Sequence, residues 1–268
     1  MNFLLEAFNN ARSGDEYYTR YGDIEKELSN YNFSRMIVYC NCDNPESSSF
    51  VKYFKDNFES LGLKCLLATF VGTQPMLYRY DGVQATTKPL SSGRFQDNKG
   101  IISMCDIIVT NPPFSNQAPV ELIKTATSLG KKFIIVAPMQ LGVKKDMIPL
   151  LKSGELKCGY NQIRKFDTPS GEGGKITTFW WTNMPVNRPT VNFKARYDER
   201  LYQKYDRYNA INCDSLEMIP GDYDGLIGVP ITFLRVYNPE QFQIYDVLWH
   251  PSLNGMKKNH RIVISKRK

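Results

Sequence analysis

Between residues 36 and 137, short apolar runs alternate with amphipathic stretches, and this alternation constrains the fold more than any other feature of the sequence. Residues 36–40, 65–71, 106–110 and 132–137 read as buried strands. Residues 47–61 are helical, with Phe50, Phe54, Phe58 and Leu61 at spacings of 4, 4 and 3, and Gly62 stops them. Further helices are expected over 119–129, closed by Gly130, and over 144–153, closed by Gly154. Before the first strand lie a short helix over 1–14 and an amphipathic one over 15–30, with Ile24 and Leu28 on one face. Residues 72–100 show no clear period and read mostly as loop, whereas 176–182, with Trp180 and Trp181, read as a β-rich run. Strand, helix, strand, helix predicts an α/β fold, a mostly parallel, doubly wound sheet with helices on both faces. Ligands on such sheets bind beyond the carboxyl ends of the strands.

The composition changes near residue 185. A stretch rich in Tyr and Arg runs from Tyr197 to Tyr208, and β-like runs follow over 229–234, 241–248 and 260–265. The expected organisation is a core over 1–185 and a β-containing C-terminal extension over 186–268, packed on the core as one unit. At 268 residues the chain can bury a real core without disulfide or metal staples. Its formal charge of +7 favours a polyanionic partner, of which nucleic acid is the commonest.

The sharpest motif is Asn111-Pro112-Pro113-Phe114, delivered by the strand Asp-Ile-Ile-Val-Thr at its carboxyl end. The Asn111 side-chain oxygen is an acceptor, and the prolines present their carbonyls rigidly. Two acceptors can therefore converge on one amino group while Phe114 offers a face to a planar ring. That arrangement suits methylation of an aromatic amine, because two acceptors favour a pyramidal nitrogen and stabilise the charge that develops on it. The bland alternative is a strand ending in a proline-rich turn.

A second strand–turn–helix element runs from residue 36 to the helix after Ser47-Ser48-Ser49. Asn41 and Asp43 could bind an ammonium group, and the amides at the helix start could bind a carboxylate. The alternative has Asp43 capping the turn and Ser47 the helix. Two weaker elements are Asp15-Glu16-Tyr17-Tyr18-Thr19, whose hydroxyls could close over a ligand, and Ser92-Gly93-Arg94-Phe95, whose aromatic ring could stack on one.

Arg200, Lys204 and Arg207 lie among tyrosines, and Lys257, Lys258, Arg261, Lys266, Arg267 and Lys268 form a basic end without an acid. Both segments can contact phosphates; both can equally be solvated surface. The six cysteines and two histidines show no zinc spacing, since Cys40 and Cys42 flank a single residue, so buried thiols and no metal are expected. No signal peptide is evident at the start, and no apolar stretch approaches the roughly 20 residues of a membrane span. An intracellular, cytoplasmic protein of prokaryotic or phage type is expected.

These pieces, in this order, resemble the EcoRI-type adenine-specific DNA methyltransferase family. The resemblance includes residues 15–19, the turn over 39–45 and 111–114, then Trp180-Trp181-Thr182-Asn183, residues 204–212, Asp222-Tyr223-Asp224-Gly225, residues 228–234, residues 238–242 and the basic end from Arg261. It covers nearly the whole chain. It implies a Rossmann-like S-adenosylmethionine-dependent methyltransferase fold, S-adenosyl-L-methionine as methyl donor and double-stranded DNA as substrate. The implied acceptor is the N6 amine of an adenine flipped out of the duplex. Asn111, Pro112, Pro113 and Phe114 are the implied catalytic motif. The implied cofactor contacts are Tyr18, Thr19, Asn41, Asp43, Phe95 and Asn111, and the DNA contacts read above are Arg200, Lys204, Arg207, Lys257 and Lys258. The resemblance also raises a cognate restriction endonuclease that acts on the same site without a stable complex. In departure from the family, the chain looks short, 167–175 and 249–256 are compact, and Gly93-Arg94-Phe95 lacks an acid beside the aromatic. The competing readings are an RNA adenine or protein glutamine methyltransferase, or a non-catalytic DNA-binding protein on a methyltransferase scaffold.

Overall fold

The computed structural model describes residues 18–70, 74–93, 95–114, 117–167 and 176–267. The helix expected over 1–14 lies outside them, as do Tyr17, Arg94 and Lys268. Two compact units divide the chain: one takes the described residues up to Pro138 together with Gly159–Met184, the other Met139–Cys158 and the residues from Pro185 onward. Residues 139–158, read from the sequence as part of the core, group with the second unit.

In the first unit, α1 (Tyr21–Leu28) precedes β1 (Ile37–Asn41), and α2 (Ser49–Asp56) leads to β2 (Cys65–Phe70). Ile24 and Leu28 are fully buried, as their spacing requires. The hairpin β3 (Met76–Tyr80) and β4 (Ala85–Pro89) and the helix α3 (Lys99–Met104) follow. Then come β5 (Ile107–Thr110), α4 (Ala118–Ser128), β6 (Lys132–Pro138), β7 (Lys157–Ile163), whose first two residues belong to the second unit, and β8 (Thr178–Thr182). They form one eight-stranded sheet in the order β4-β3-β2-β1-β5-β6-β8-β7. The central four, β2-β1-β5-β6, are mutually parallel, whereas β3 and β4 pair antiparallel on one side and β8 on the other.

The sequence reading of 72–100 as loop is corrected by the hairpin. Its outer strand, Ala-Thr-Thr-Lys-Pro, is exposed along its whole length. An edge strand without a buried face carries no apolar period to read, and Pro89 is tolerated there because the edge needs no donor. The strand β8 is buried at all five positions, including Trp180 and Trp181. At the sheet's other edge Glu27 of α1 is fully buried and accepts from the Tyr160 and Asn161 amides of β7 and from the Tyr31 hydroxyl. Burial pushes its pKa up while those donors hold it down. Gly159 is required here, because a Cβ would overlap the Glu27 carboxylate.

The second unit contains α5 (Ile148–Ser153) and a five-stranded sheet in the order β12-β15-β11-β10-β9. Its strands are β9 (Lys204–Tyr205), β10 (Tyr208–Asn212), β11 (Leu226–Pro230), β12 (Phe242–Leu248) and β15 (Arg261–Lys266). A small ribbon of β13 (Ser252–Leu253) and β14 (Met256–Lys257) lies between the last two in sequence. The run expected over 229–234 is strand only to Pro230; residues Ile231–Arg235 coil into a 3-10 turn. The helix expected over 144–153 is likewise a 3-10 turn before it becomes α5 at Ile148.

Candidate functional site

Strand order reverses between β1 and β5: β1 continues to β2 on one side and β5 to β6 on the other. Connections that leave in opposite directions open a crevice beyond the carboxyl ends of those two strands. The two motifs singled out in the sequence meet there.

Asn41 ends β1, Cys42 takes a left-handed φ of 61°, and Asp43 follows. On the neighbouring strand Thr110 ends β5 and hands the chain to Asn111. The Thr110 hydroxyl lies 2.8 Å from Asp43 Oδ2 and also contacts the Asn41 carbonyl. The two loops are thus fastened to each other by a buried hydroxyl. Asn41 is itself held, its Oδ1 accepting from Tyr39 at 2.8 Å and from Thr69, at the end of β2, at 3.1 Å.

Asp43 is 8% exposed, and its other oxygen accepts from Ser48 Oγ at 2.7 Å. Both donors are neutral hydroxyls, and no cation pairs with it among the described residues. Burial therefore dominates and raises its pKa to about 7, with the Ser48 and Thr110 hydrogen bonds opposing the rise. Ser48 also caps α2, accepting from the Phe50 and Val51 amides. Such a cap stabilises a helix by about 1 kcal/mol. Ser48 rather than Ser47 is thus the cap, and two of the amides considered for a carboxylate ligand are already bonded.

Tyr18 and Asp167 form an isolated bridge outside the sheet: their backbones exchange hydrogen bonds of 2.8 and 3.0 Å, and Arg20 pairs with the Asp167 carboxylate. The next residue back, Phe166, is fully buried and packs edge-to-face on Phe114 with ring centroids 5.9 Å apart. Thr19 is 4% exposed and its hydroxyl has no hydrogen-bond partner among the described residues. A buried hydroxyl without a partner costs about 1–3 kcal/mol, so a ligand oxygen or nitrogen placed there would relieve it. Asn111, Pro113 and Phe114 are half-buried and Pro112 is buried. Phe95 is buried, and its ring lies nearly parallel to that of Tyr39, with centroids 6.3 Å apart.

The basic residues of the second unit divide. Lys204, Arg207 and Lys257 are exposed. Arg200 is exposed but forks onto its neighbour Asp198 at 3.1 and 2.8 Å. Lys258 pairs with Asp214 at 3.1 Å. The basic end is no free tail: β15 runs between β12 and β11, with its first four residues buried. Arg261 is 6% exposed, and its guanidinium meets Asp214, the Asn212 side chain and the carbonyls of Asn259 and His260.

Sequence reasoning missed Thr110, Tyr39, Ser48 and Glu27. Thr110 left a signal, a lone hydroxyl closing an otherwise apolar run; Glu27 left none, because the amides that hold its carboxylate lie more than 130 residues away. Among the described residues no cluster of three His, Cys, Asp or Glu side chains is placed to share a metal ion, and no helix is long and apolar enough to cross a membrane.

The family described as adenine-specific methyltransferase EcoRI matches residues 5–89 and 78–268. The chain is 34% identical to the type II methyltransferase M.EcoRI of Escherichia coli, over 91% of its own length and 88% of that relative. It is 31% identical to the type II methyltransferase M.MgeORF184P of Mycoplasma genitalium, over 95% and 91% of the two chains, and 31% identical to M.MpnI of Mycoplasma pneumoniae, over 95% and 90%.

Proposed function

The chain belongs to the EcoRI family of adenine-specific methyltransferases, and we propose that it carries out their reaction in the crevice beyond β1 and β5. It is a site-specific DNA adenine methyltransferase that uses S-adenosylmethionine. The observation that supports this placement is the Thr110–Asp43 bond, which ties the loop after β1 to the Asn-Pro-Pro-Phe loop at the point where the strand order reverses.

S-adenosylmethionine supplies a methyl group made electrophilic by its sulfonium. Asp43, buried and without a cationic partner among the described residues, takes the amino end of the cofactor, helped by Asn41. The Thr19 hydroxyl supplies a further hydrogen bond, and Tyr18 lies on the same segment. Phe95 and Tyr39 form an aromatic wall. Asn111 Oδ1 and the Pro112 carbonyl accept the two hydrogens of the adenine N6 amine, favouring a pyramidal nitrogen and stabilising positive charge as it attacks. Pro113 keeps the loop extended, and Phe114, braced edge-on by Phe166, stacks on the base once it has left the duplex. No general base is needed, because the methylated amine gives its proton readily to water.

Lys204, Arg207 and Lys257 contact DNA phosphates; Arg200 and Lys258, already paired with Asp198 and Asp214, do so less strongly. A cognate restriction endonuclease acts on the same sequence without a stable complex. The test is methyl transfer from labelled S-adenosylmethionine to duplex DNA, with RNA and protein offered in parallel. Label on adenine N6 of DNA, lost in Asn111→Ala, is expected. Label on cytosine, on RNA or on protein instead, or no transfer by a chain that binds the cofactor, would overturn the assignment.

A further inference from the structure

Within the second unit, the segment over 205–208, the end of β12 and the turn over 249–255 enclose an open cavity of about 780 Å³. Two irregularities in the sheet shape it. Pairing between β12 and β15 slips by one residue between Ile244 and Asp246, leaving Tyr245 as the extra residue of a bulge. A one-residue slip turns the following side chains to the opposite face. Phe242, Ile244 and Val247 are buried, whereas Asp246 stands opposite Val263 and lines the cavity. A second slip, between Tyr208 and Ile211 of β10, lies on the cavity's other wall.

The polar groups there are unequally committed. Asp206 is spent on structure, its two oxygens accepting from the Asn254 and Gly255 amides at 2.8 and 3.0 Å. Asp246 accepts from the Tyr208 hydroxyl at 3.2 Å and from the Val247 amide at 2.8 Å, one bond to each oxygen. A carboxylate has about four acceptor sites, so each oxygen keeps one. Arg207 makes no hydrogen bond or ion pair among the described residues, and all five of its donors are available. Trp249 is 45% exposed, yet its indole N–H is fixed to the Val143 carbonyl at 2.8 Å. The cavity is thus lined by a fixed flat ring, an oriented acceptor and an uncommitted donor fork.

We propose that this cavity reads a C·G base pair of the recognition sequence, with Asp246 accepting from the cytosine N4 amine and Arg207 donating to guanine O6 and N7. Guanine alone shows two adjacent acceptors in the major groove to match an arginine fork, and its partner shows the amine that a carboxylate can accept from. Tyr208 is a positioning residue, since its hydroxyl holds Asp246. The inference rests on the DNA methyltransferase reading above, and it changes Arg207 from a phosphate contact to a base contact.

The experiment expresses the full chain, wild type and variants, in a host without adenine methylation and maps methylated adenines across the host DNA. The wild-type site should contain a C·G pair. Asp246→Asn and Arg207→Ala should each methylate sites degenerate at that pair and at no other position, with discrimination there reduced ~10- to 100-fold. Tyr208→Phe should loosen the same position less. Calorimetric binding of S-adenosylmethionine, unchanged in each variant, shows that the fold is intact. A site unchanged in all three variants overturns the proposal, whether rates are preserved or fall alike at every site, as loss of a phosphate contact or of packing would make them. A wild-type chain that methylates no DNA overturns the underlying function instead, and it does so before any variant is compared.

Discussion

The ends of β1 and β5 and the interior of the five-stranded sheet both bury polar side chains, but they leave them in opposite electrostatic states. At the strand ends Asp43 is surrounded by hydroxyls, from Ser48 and Thr110, that carry no charge to balance its own. Inside the second sheet the buried Arg261 meets a carboxylate, a side-chain amide and two backbone carbonyls. A buried charge that finds its counter-charge within the chain holds the fold together. A buried acid that finds only neutral donors is held near its titration point, and on the function proposed above a cation that arrives with the ligand completes it. On that proposal, the contrast separates a structural polar core from a binding one.

The largest effect should come from the loop itself. Asn111→Ala should lower methyl transfer by ~10²- to 10³-fold, the usual scale for removing one preorganised partner of a developing charge, with cofactor affinity nearly unchanged in calorimetry. A parallel loss of cofactor binding would mean that Asn111 serves the cofactor rather than the amine.

Asp43 tests the contrast through pH. Its folded pKa of about 7 lies above its unfolded value of 3.8, so the folded state binds the extra proton between those values and stability falls as pH rises from about 4 to about 7. With the cofactor's ammonium seated on Asp43 as proposed, binding favours the ionised form, so affinity should drop about tenfold per pH unit below 7. Asp43→Asn should flatten both trends. Melting curves and calorimetry across pH 5 to 8 measure them, and an equal slope in the variant would assign the titration elsewhere.

On the other side of the comparison, Asp214→Ala should destabilise the protein by about 2 kcal/mol, below the ~3–5 kcal/mol of a fully buried pair because Asp214 is half exposed. The loss should appear in denaturant midpoints and leave the cofactor dissociation constant alone. Thr110→Val should cost the least, about fivefold in kcat if one buried hydrogen bond worth ~1 kcal/mol is lost. Thr110→Ser should restore the rate. A kcat insensitive to both would show the bond between the two loops to be packing alone.

The first unit was legible where one physical signal dominated. The strands around 37–41, 65–70, 107–110 and 132–138 are buried on both faces, so their apolar runs stand out in the sequence. The hairpin over 76–89 escaped because its outer strand buries nothing. In the second unit β12 and β15 announced themselves by apolar residues, but the charges of Arg261 and Lys266 made a central strand resemble a solvated end. The motifs at 41–43 and 111–114 could be named from residue types; their hydroxyl partners could not, since Thr69 and Thr110 are common residues made special only by position.

By itself the sequence determined the class of sheet, the carboxyl-end location of the candidate site and the chemistry that Asn111 to Phe114 offer an amine, because burial and backbone restriction are local and leave periodic or compositional traces. Only the tertiary structure decided that the loops after β1 and β5 share the Thr110 hydroxyl, that Asp43 meets no counter-charge among the described residues, that Arg261 is interior and that Asp246 faces a cavity. Those facts rest on which residues from distant parts of the chain become neighbours, and on a one-residue slip in strand pairing, neither of which leaves a local trace.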